Sequence, residues 1–293
     1  MKKIGVIANR DKDIQLKYTR ILVESILKYQ GEAFLTKDIS NEISMGSPLE
    51  SEEQVMDAAE IIICLGGDGT FLKAARKAYV KNKPILGINL GSLGFLTEID
   101  KNDIESAVKH VIDNEYELEE RMMLDTSIIR KGSVIARDVA LNDVVISRGA
   151  LSRILHVKAY INSTLVDLFP GDGLIVSSPS GSTAYSLAAG GPIVEPDIDL
   201  IILTPICPHI LFSRSCVTTG DRVIRAVIHE ENCHDAMVTI DGQQGYEVQG
   251  SDIIEIKKSS HRVKVVRINE RDFFNVLRTK IYERGEKLKK NEI

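Results

Sequence analysis

Two hydrophobic periods divide the chain. Through about residue 120, short and wholly apolar runs alternate with stretches in which apolar residues recur every three or four positions. "KIGVIA" (3–8) predicts a strand, and Leu16, Ile21, Leu22, Ile26 and Leu27 predict a helix over 14–29. "IIICL" (61–65) predicts a second strand, "FLKAARKAYV" (71–80) a helix and "PILGI" (84–88) a third strand. "NDIESAVKHVIDN" (102–114) predicts a helix opened by a capping box of Asn102 and Glu105. The stretch 36–53, "TKDISNEISMGSPLESEE", is polar and acidic with Gly46 and Pro48, and reads as a mobile loop. Continuous apolar strands separated by helices imply a parallel sheet covered on both faces.

Beyond residue 120 the period shortens to two. "DTSIIRKGSVIARDVALNDVVISRG" breaks at Lys131-Gly132-Ser133, and "RILHVKAYINSTLVDLF" at Asn162-Ser163. "RVIRAVIHE", "AMVTIDGQQGYEV", "DIIEIKKSS" and "RVKVVRI" continue as separate short runs. This predicts a mostly antiparallel, sandwich-like region with one helical interruption near 183–190. The tail 269–290 returns to helix, with Phe273, Phe274, Leu277 and Ile281 on one side, and is expected to pack on the first domain. The expected organisation is an α/β domain over 1–120, a β-rich domain over 121–268 and a helical tail over 269–293.

Composition narrows the class. A chain of 293 residues, 43% hydrophobic and 27% charged, suits one large or two ordinary globular domains. A net charge of -5 does not favour nucleic acid or an anionic membrane as partner. No apolar run reaches bilayer length, and that of "MKKIGVIANRDKD" is too short for a signal peptide. Cys64, Cys207, Cys216 and Cys233 form no C-x-x-C pair and no zinc spacing with histidine, so the expectation is reduced thiols in a cytoplasmic protein.

The chemistry concentrates in a few loops. "CLGGDGTFL" (64–72) joins a strand to a helix, where backbone N–H groups can face an anion. It matches neither G-x-x-x-x-G-K-[ST] nor G-x-G-x-x-G, since Leu72 stands where the last glycine belongs. Asp68 sits at its centre. Two like charges about 4 Å apart repel by roughly 4 kcal/mol at an effective dielectric of 20, and a helix end offsets about 1 kcal/mol. Asp68 therefore suits a loop where it serves a bound Mg²⁺, or takes a proton from a hydroxyl attacking phosphate. The alternative is a plain strand-to-helix turn.

Three further stretches carry polar groups in apolar settings. In "ALNDVVI" (140–146), Asn142 and Asp143 cost desolvation unless bonded. A carboxylate there suits ribose hydroxyls and an amide suits adenine; a bulge or edge is the alternative. In "SPSGSTAYSLAAGGPIV" (178–194), Ser182 or Thr183 is expected to cap a short helix that Gly190-Gly191-Pro192 ends, with Tyr185 offering a stacking face. A compact connector is the alternative. "GINLGSLGFL" (87–96) offers Phe95 as a ring wall, or is structural. Asp241 and Gln243 in "TIDGQQGY" (239–246) read as ordinary hairpin residues.

In this order the motifs resemble the NAD kinase family: GGDGT at 66–70, NLGSLGFL at 89–96, ND at 142–143, DGLIVSSPSGSTAYSLAAGGPI at 172–193 and PH at 208–209. The GGDGT loop alone is shared with diacylglycerol, sphingosine and phosphofructokinase relatives; SGSTAYSLAAGGP with an upstream ND singles out NAD kinases. The resemblance implies transfer of the ATP γ-phosphate, with Mg²⁺, to the 2′-hydroxyl of the NAD adenosine ribose, and leaves polyphosphate open as a donor. It implies Asp68 as catalytic base or orienter, beside Gly66, Gly67, Gly69, Thr70 and Asn89. It implies Asn142 on adenine, Asp143 on ribose, Phe95 near the adenine, and Thr183, Ala184, Tyr185 and Ala188 around the dinucleotide. Arg153 and Gln243 correspond to positions lining the site in relatives. The resemblance also implies a homodimer or homotetramer with a shared site, Asp172 serving the nicotinamide end. Serine often replaces Ala188 in the family, and the usual TPTGSTAY is here Ser178-Pro179-Ser180 before Gly181. A lipid kinase sharing the loop and a non-catalytic NAD sensor are the alternatives. The first expects membrane-facing basic segments; the second has no need of Asp68.

Overall fold

A computed structural model describes residues 1–91, 94–149, 154–211, 213–230, 236–268 and 273–280. It divides into two compact units, residues 1–119 with the chain from 263 onward, and residues 120–262.

In the first unit the apolar runs form parallel strands, as unbroken runs should when both faces are covered. These are β1 (Lys3–Ala8), β2 (Glu32–Thr36), β3 (Ser47–Leu49), β4 (Ile61–Gly66), β5 (Ile85–Asn89) and β6 (Ile99–Asp100). The order is β3-β2-β1-β4-β5, with β6 beside β5. The chain runs outward from β1 to β3, then returns to the other side of β1 for β4, so the sheet's switch point lies between β1 and β4. Loops at the carboxyl ends of these two strands border the crevice where open α/β sheets bind ligands. Helices α1 (Lys17–Lys28), α2 (Lys37–Ile43), α3 (Glu52–Ala58), α4 (Asp68–Ala78) and α5 (Ile104–Asp113) connect the strands. Leu22, Val23 and Ile26 of α1 and Val108 and Val111 of α5 join β1, β4 and β5 in one core.

Two local expectations fail here. Residues 36–53 are not a mobile loop: they hold α2, β3 and the start of α3. Ile39 and Ile43, four apart on one helix face, bury to 6% and 1% exposure. Ser51 caps α3 by accepting the Gln54 N–H at 3.3 Å. Acidic residues fill the solvent faces and mask so short a period. The capping box of Asn102 and Glu105 does not form either. A tight turn over Lys101–Asp103 precedes α5, and the Asp100 carboxylate accepts the Asn102 N–H at 2.9 Å. Glu105 instead pairs with Lys28 and accepts the Tyr29 hydroxyl.

The second unit is antiparallel. Its strands are β7 (Glu117–Arg130, begun in the first unit), β8 (Ser133–Ala140), β9 (Asp143–Arg148), β10 (Leu155–Ile161), β11 (Thr164–Gly171), β12 (Gly173–Ser177), β13 (Leu200–Ile206), β14 (Cys216–Thr219), β15 (Ile224–Ile228), β16 (Ala236–Ile240), β17 (Gln244–Val248) and β18 (Ile253–Arg267). One sheet runs β14-β13-β12-β9-β16-β17; against it lie β11-β10-β15-β18, with β7 and β8. Leu124, Ile146, Val157, Leu174, Val238 and Ile254 belong to the core they share. The turns at Lys131-Gly132 and Asn162 have positive φ, as tight hairpins require. "DIIEIKKSS" and "RVKVVRI", read as separate runs, are one continuous β18, with Ser259 buried at 3% in its middle.

The interruption near 183–190 is smaller than expected. A tight turn over Ser180–Thr183 leads to a single helical turn, α6 (Tyr185–Ala188). Neither expected cap operates: Thr183 Oγ1 donates back to Ser180 O, and Ser182 bonds the backbone of Val194. In the tail, residues 273–280 are helical. Phe273 packs on Phe95 with ring centroids 6.2 Å apart, while Phe274 stays 54% exposed. Ile281 lies outside the described residues. The tail is tied down through Glu98, buried at 2%, which accepts the Ile268 N–H at 3.0 Å and pairs with Arg267 at 3.2 Å.

Candidate active site

Each unit carries one cluster of the residues singled out by sequence. In the first, Gly66 ends β4 and Gly67 occupies the N-cap of α4. A Cβ on Gly66 would stand 2.4 Å from Thr70 Oγ1, so the strand can turn into the helix this tightly only with glycine. Thr70 Oγ1 accepts Asn9 Nδ2 at 2.8 Å, which ties the loop after β1 to the loop after β4. Nothing lies within 4 Å of the Cβ position of Gly69, leaving room for a ligand at the helix start.

Asp68 is not left bare in this loop. Its Oδ2 accepts the Phe95 N–H at 2.9 Å, and its Oδ1 accepts the N–H groups of Leu96 and Thr97 and the Thr97 hydroxyl, each at 3.2 Å. A Cβ on Gly94 would stand 1.8 Å from Oδ1, so this carboxylate fills the place of a missing side chain. The stretch GINLGSLGFL thus supplies the donors that aim Asp68. Carboxylate oxygens hold about two lone pairs each, so Oδ2, with one donor, keeps an acceptor position for a substrate hydroxyl. Phe95 is half-buried under Phe273, with Lys280 Nζ 5.7 Å from its ring centre. Cys64, wholly buried in β4, is no nucleophile: burial first, and the charge of Asp68 second, push its thiol up.

In the second unit, Asn142 and Asp143 stand where the chain enters β9, beside a cavity of about 390 Å³ that Ala184, Tyr185 and Thr239 also line. Asp241 holds this corner. It is 7% exposed and accepts the backbone N–H groups of Leu141, Asn142 and Asp143 at 2.9, 2.8 and 3.1 Å. It is therefore not an ordinary hairpin residue. Its Asp-Gly sequence marked the turn correctly, but nothing local to it reveals a carboxylate folded onto a strand about a hundred residues earlier. The "SPSGS" loop clasps the same corner: Ser178 N–H and Ser177 Oγ donate to the Asn142 carbonyl, and a Cβ on Gly181 would stand 2.1 Å from that oxygen.

Two polar groups at this corner want partners. Asn142 Oδ1 is buried without a hydrogen bond, a cost that a ligand donor such as an adenine amino group would relieve. Asp143, 5% exposed, has its carboxyl pushed up to about 7, by burial first and by the neighbouring Asp241 charge second.

The remaining residues are dispersed. Thr183 is half-buried, while Tyr185 and Ala188 are exposed on α6. Gln243 is exposed in the β16–β17 turn and does not line the cavity. Asp172 accepts Arg148 Nε at 2.7 Å. The antiparallel register of β9 and β12 puts Arg148 and Asp143 at opposite ends of β9, roughly 17 Å apart. Asp172 is thus kept away from the Asn142–Asp143 corner. Arg153 lies outside the described residues.

A glycine loop at the switch point of a parallel sheet, and a β unit whose pocket offers a carboxyl and an amide, define a nucleotide-binding protein. A family model described as ATP-NAD kinase N-terminal domain matches residues 4–116, and one described as ATP-NAD kinase C-terminal domain matches residues 141–268. An NAD kinase of Acetivibrio thermocellus is 60% identical over 99% of this chain and all of its own length. One of Ruminiclostridium cellulolyticum is 51% identical over 98% of this chain and all of its own. Among solved structures, an Archaeoglobus fulgidus NAD kinase in complex with ATP superposes with a TM-score of 0.75 at 26% identity, over 96% of this chain and 99% of that one. Yeast NADH kinase complexed with NADH shares the fold, with a TM-score of 0.84 at 24% identity over 95% of this chain and 86% of that one. The chain belongs to the NAD kinase family. It is an ATP-dependent kinase that phosphorylates NAD; lipid-kinase and sensor readings find no support.

Proposed function

We propose that Asp68 orients the 2′-hydroxyl of the NAD adenosine ribose for attack on the γ-phosphorus of ATP, and then takes its proton. The new bond joins the ribose oxygen to phosphorus, the bond to the β,γ-bridging oxygen breaks, and ADP leaves with the electron pair. A carboxylate with a reference pKa near 4 is a weak base for a sugar hydroxyl. It can accept the proton late, once the hydroxyl has become acidic in a loose transition state. The observation that carries this reading is the grip of three N–H groups and one hydroxyl on Asp68, at the start of α4, with Oδ2 only singly engaged. Supporting it on the substrate side, the unpartnered Asn142 Oδ1 suits the adenine amino group and Asp143 suits the ribose. Thr183, Ala184, Tyr185, Ala188, Gln243, Arg153 and Asp172 are assigned to the dinucleotide by resemblance.

Among the described residues no group of three His, Cys, Asp or Glu side chains gathers to hold a metal ion. By resemblance, Mg²⁺ is assigned to the donor, entering as its ATP complex. Among the described residues no helix is long and apolar enough to cross a membrane. The cysteines described, Cys64, Cys207 and Cys216, are free thiols, in keeping with a cytoplasmic site of action. A homo-oligomer is assigned as well. The edge strand β11 exposes Leu165, Val166 and Leu168, which an isolated subunit would leave open to pairing.

The test is direct. Purified protein with NAD, ATP and Mg²⁺ is expected to form NADP, and no NADP from the wild type would overturn the activity. Full activity in Asp68→Asn would overturn the role of Asp68 alone. Light scattering reports the oligomer.

A further inference from the structure

The glycine loop has a second charged neighbour, and its sign is opposite to that of Asp68. Lys12 lies in the loop that follows β1, on the other bank of the switch-point crevice. Its Nζ would stand 2.8 Å from a Cβ on Gly67, the N-cap of α4. Lys12 is exposed, and among the described residues no carboxylate lies within ion-pair distance of it. Several other lysines of this unit are paired: Lys28 with Glu105, Lys77 with Glu52 and Lys81 with Asp57.

The loop that carries Lys12 is built to hold still. Asn9 Oδ1 accepts the N–H groups of Asp11 and Lys12 at 3.1 and 3.2 Å, while its Nδ2 grips Thr70. On the other side Asp13, 1% exposed, accepts the N–H groups of Tyr18 and Thr19 and the Thr19 hydroxyl. Just beyond it Gln15 and Leu16 both take left-handed backbone conformations, φ 57° and 52°, at positions with no glycine. Lys12 thus has a fixed base and a free head, directed at the helix start.

A further group at the same place lacks a partner. Asn89 ends β5 beside Gly66 in the register and is 1% exposed. Its Oδ1 accepts the Gly91 N–H and lies 4.0 Å from the Cβ position of Gly67. Its Nδ2 is buried with no hydrogen-bond acceptor. A buried amide donor left unpaired is costly. An ammonium and the first N–H groups of an 11-residue helix, α4, meet at Gly67, beside the Asn89 amide with its orphan N–H. All are donors, and the ligand chemistry they fit is a phosphoryl oxygen.

We propose that Lys12, with Asn89 Nδ2, holds the transferring phosphoryl group of the donor against Gly67. This rests on the reading of the glycine loop as the meeting point of hydroxyl and phosphate. The loop then has two sides. The carboxylate of Asp68 turns to the 95–97 backbone and serves the hydroxyl; the ammonium of Lys12 lies at Gly67 and offsets the phosphate charge. The repulsion between Asp68 and phosphate is met by a residue of this chain as well as by the cation that accompanies ATP.

The experiment uses the full chain with Lys12→Met and Lys12→Arg, and with Lys131→Met in the β7–β8 turn as a control for net charge. Initial rates are measured against ATP at saturating NAD and against NAD at saturating ATP. Inorganic tripolyphosphate is titrated as a competitor of ATP. K12M is expected to raise the KM for ATP about tenfold or more, the scale of one charge-assisted contact. It should weaken tripolyphosphate inhibition in proportion, leave the KM for NAD unchanged, and keep the wild-type melting temperature. K12R is expected to recover most of the loss, and K131M to match wild type. An unchanged KM for ATP in K12M would overturn the proposal, as would equal rises for ATP and NAD, or a loss that K12R does not recover. Those outcomes leave the kinase activity itself standing, because the wild-type rate and D68N test that separately.

Discussion

Asp68 and Asp143, one in each unit, have the same side chain in opposite surroundings. Asp68 is half-buried and gathers four donors. Asp143 is buried, beside a second carboxylate, and its own backbone N–H is spent on that neighbour. Three N–H groups collect on Asp241 instead, so the anion at that corner is Asp241 and Asp143 is the group left without compensation. Environment thus divides the labour. Asp68 is kept as an oriented acceptor, whereas Asp143 sits at the edge of ionisation, where a ligand hydroxyl can meet either a donor or an acceptor.

The largest expected effect comes from removing the acceptor. Asp68→Asn keeps the size of the side chain and should lower kcat by about 100-fold or more, the scale of general acid–base contributions, with NAD binding by calorimetry close to wild type. Loss of binding in proportion to kcat would place Asp68 among the affinity contacts instead. Gly94→Ala tests the aim of the carboxylate without touching it. The added carbon would occupy the seat of Oδ1, 1.8 Å away, so the side chain must swing out. A kcat loss approaching that of D68N is expected, with a lower melting temperature; an active G94A would show that the seat is not needed.

The third effect is on stability. The Asp143 carboxyl titrates near 7 in the folded chain against 3.8 ordinarily, so its contribution is fully present below about pH 4 and is lost as pH rises through 7. Wild type should therefore lose stability relative to Asp143→Asn between these limits, by a few kcal/mol, on the order of 4 at most. Melting temperatures from pH 4.5 to 8 measure it, and parallel curves for the two proteins would refute it. The smallest effect is the shift that Asp241→Asn makes in the midpoint of this pH dependence, read apart from the stability lost with the N–H groups that Asp241 accepts. The Asp241 charge is the second cause and burial the first, so this change should move the midpoint of the pH dependence down only part of the way. A full return to the ordinary carboxyl range would show that the charge of Asp241, and not burial, is what raises Asp143.

Much of the frame was legible from residue patterns. Continuous apolar runs gave the parallel strands, and alternation gave the antiparallel ones, because both depend on which faces are covered. The glycine loop and the ND pair were legible as candidate sites because each breaks an apolar pattern with a charge. What stayed hidden depends on partners far along the chain. Glu105 reaches Lys28 and leaves the local cap unmade. Ser182 is taken by Val194 and so cannot cap α6. Asp241 folds onto the entrance of β9, and Lys12 lies against a glycine more than fifty residues later. Residues 36–53 failed for a different reason: two buried isoleucines on a seven-residue helix, α2, are too few to outweigh acidic composition.

Glycines 66, 94 and 181 share one property with a consequence for how this protein can vary. At each, the position of a β-carbon is already taken, by the Thr70 hydroxyl, the Asp68 carboxylate and the Asn142 carbonyl respectively. These sites are shaped by omitted atoms, and no larger residue can be accommodated by repacking, because the occupant is the site itself. Gly69, Gly91 and Gly242 have open space there instead. In a saturation library selected for NADP formation, the first three should be the most intolerant positions of their loops. Of the open three, Gly91 is where inherited variation has room to enter; Gly242, with φ 63°, is held to glycine by its backbone, and the space at Gly69 is left for a ligand.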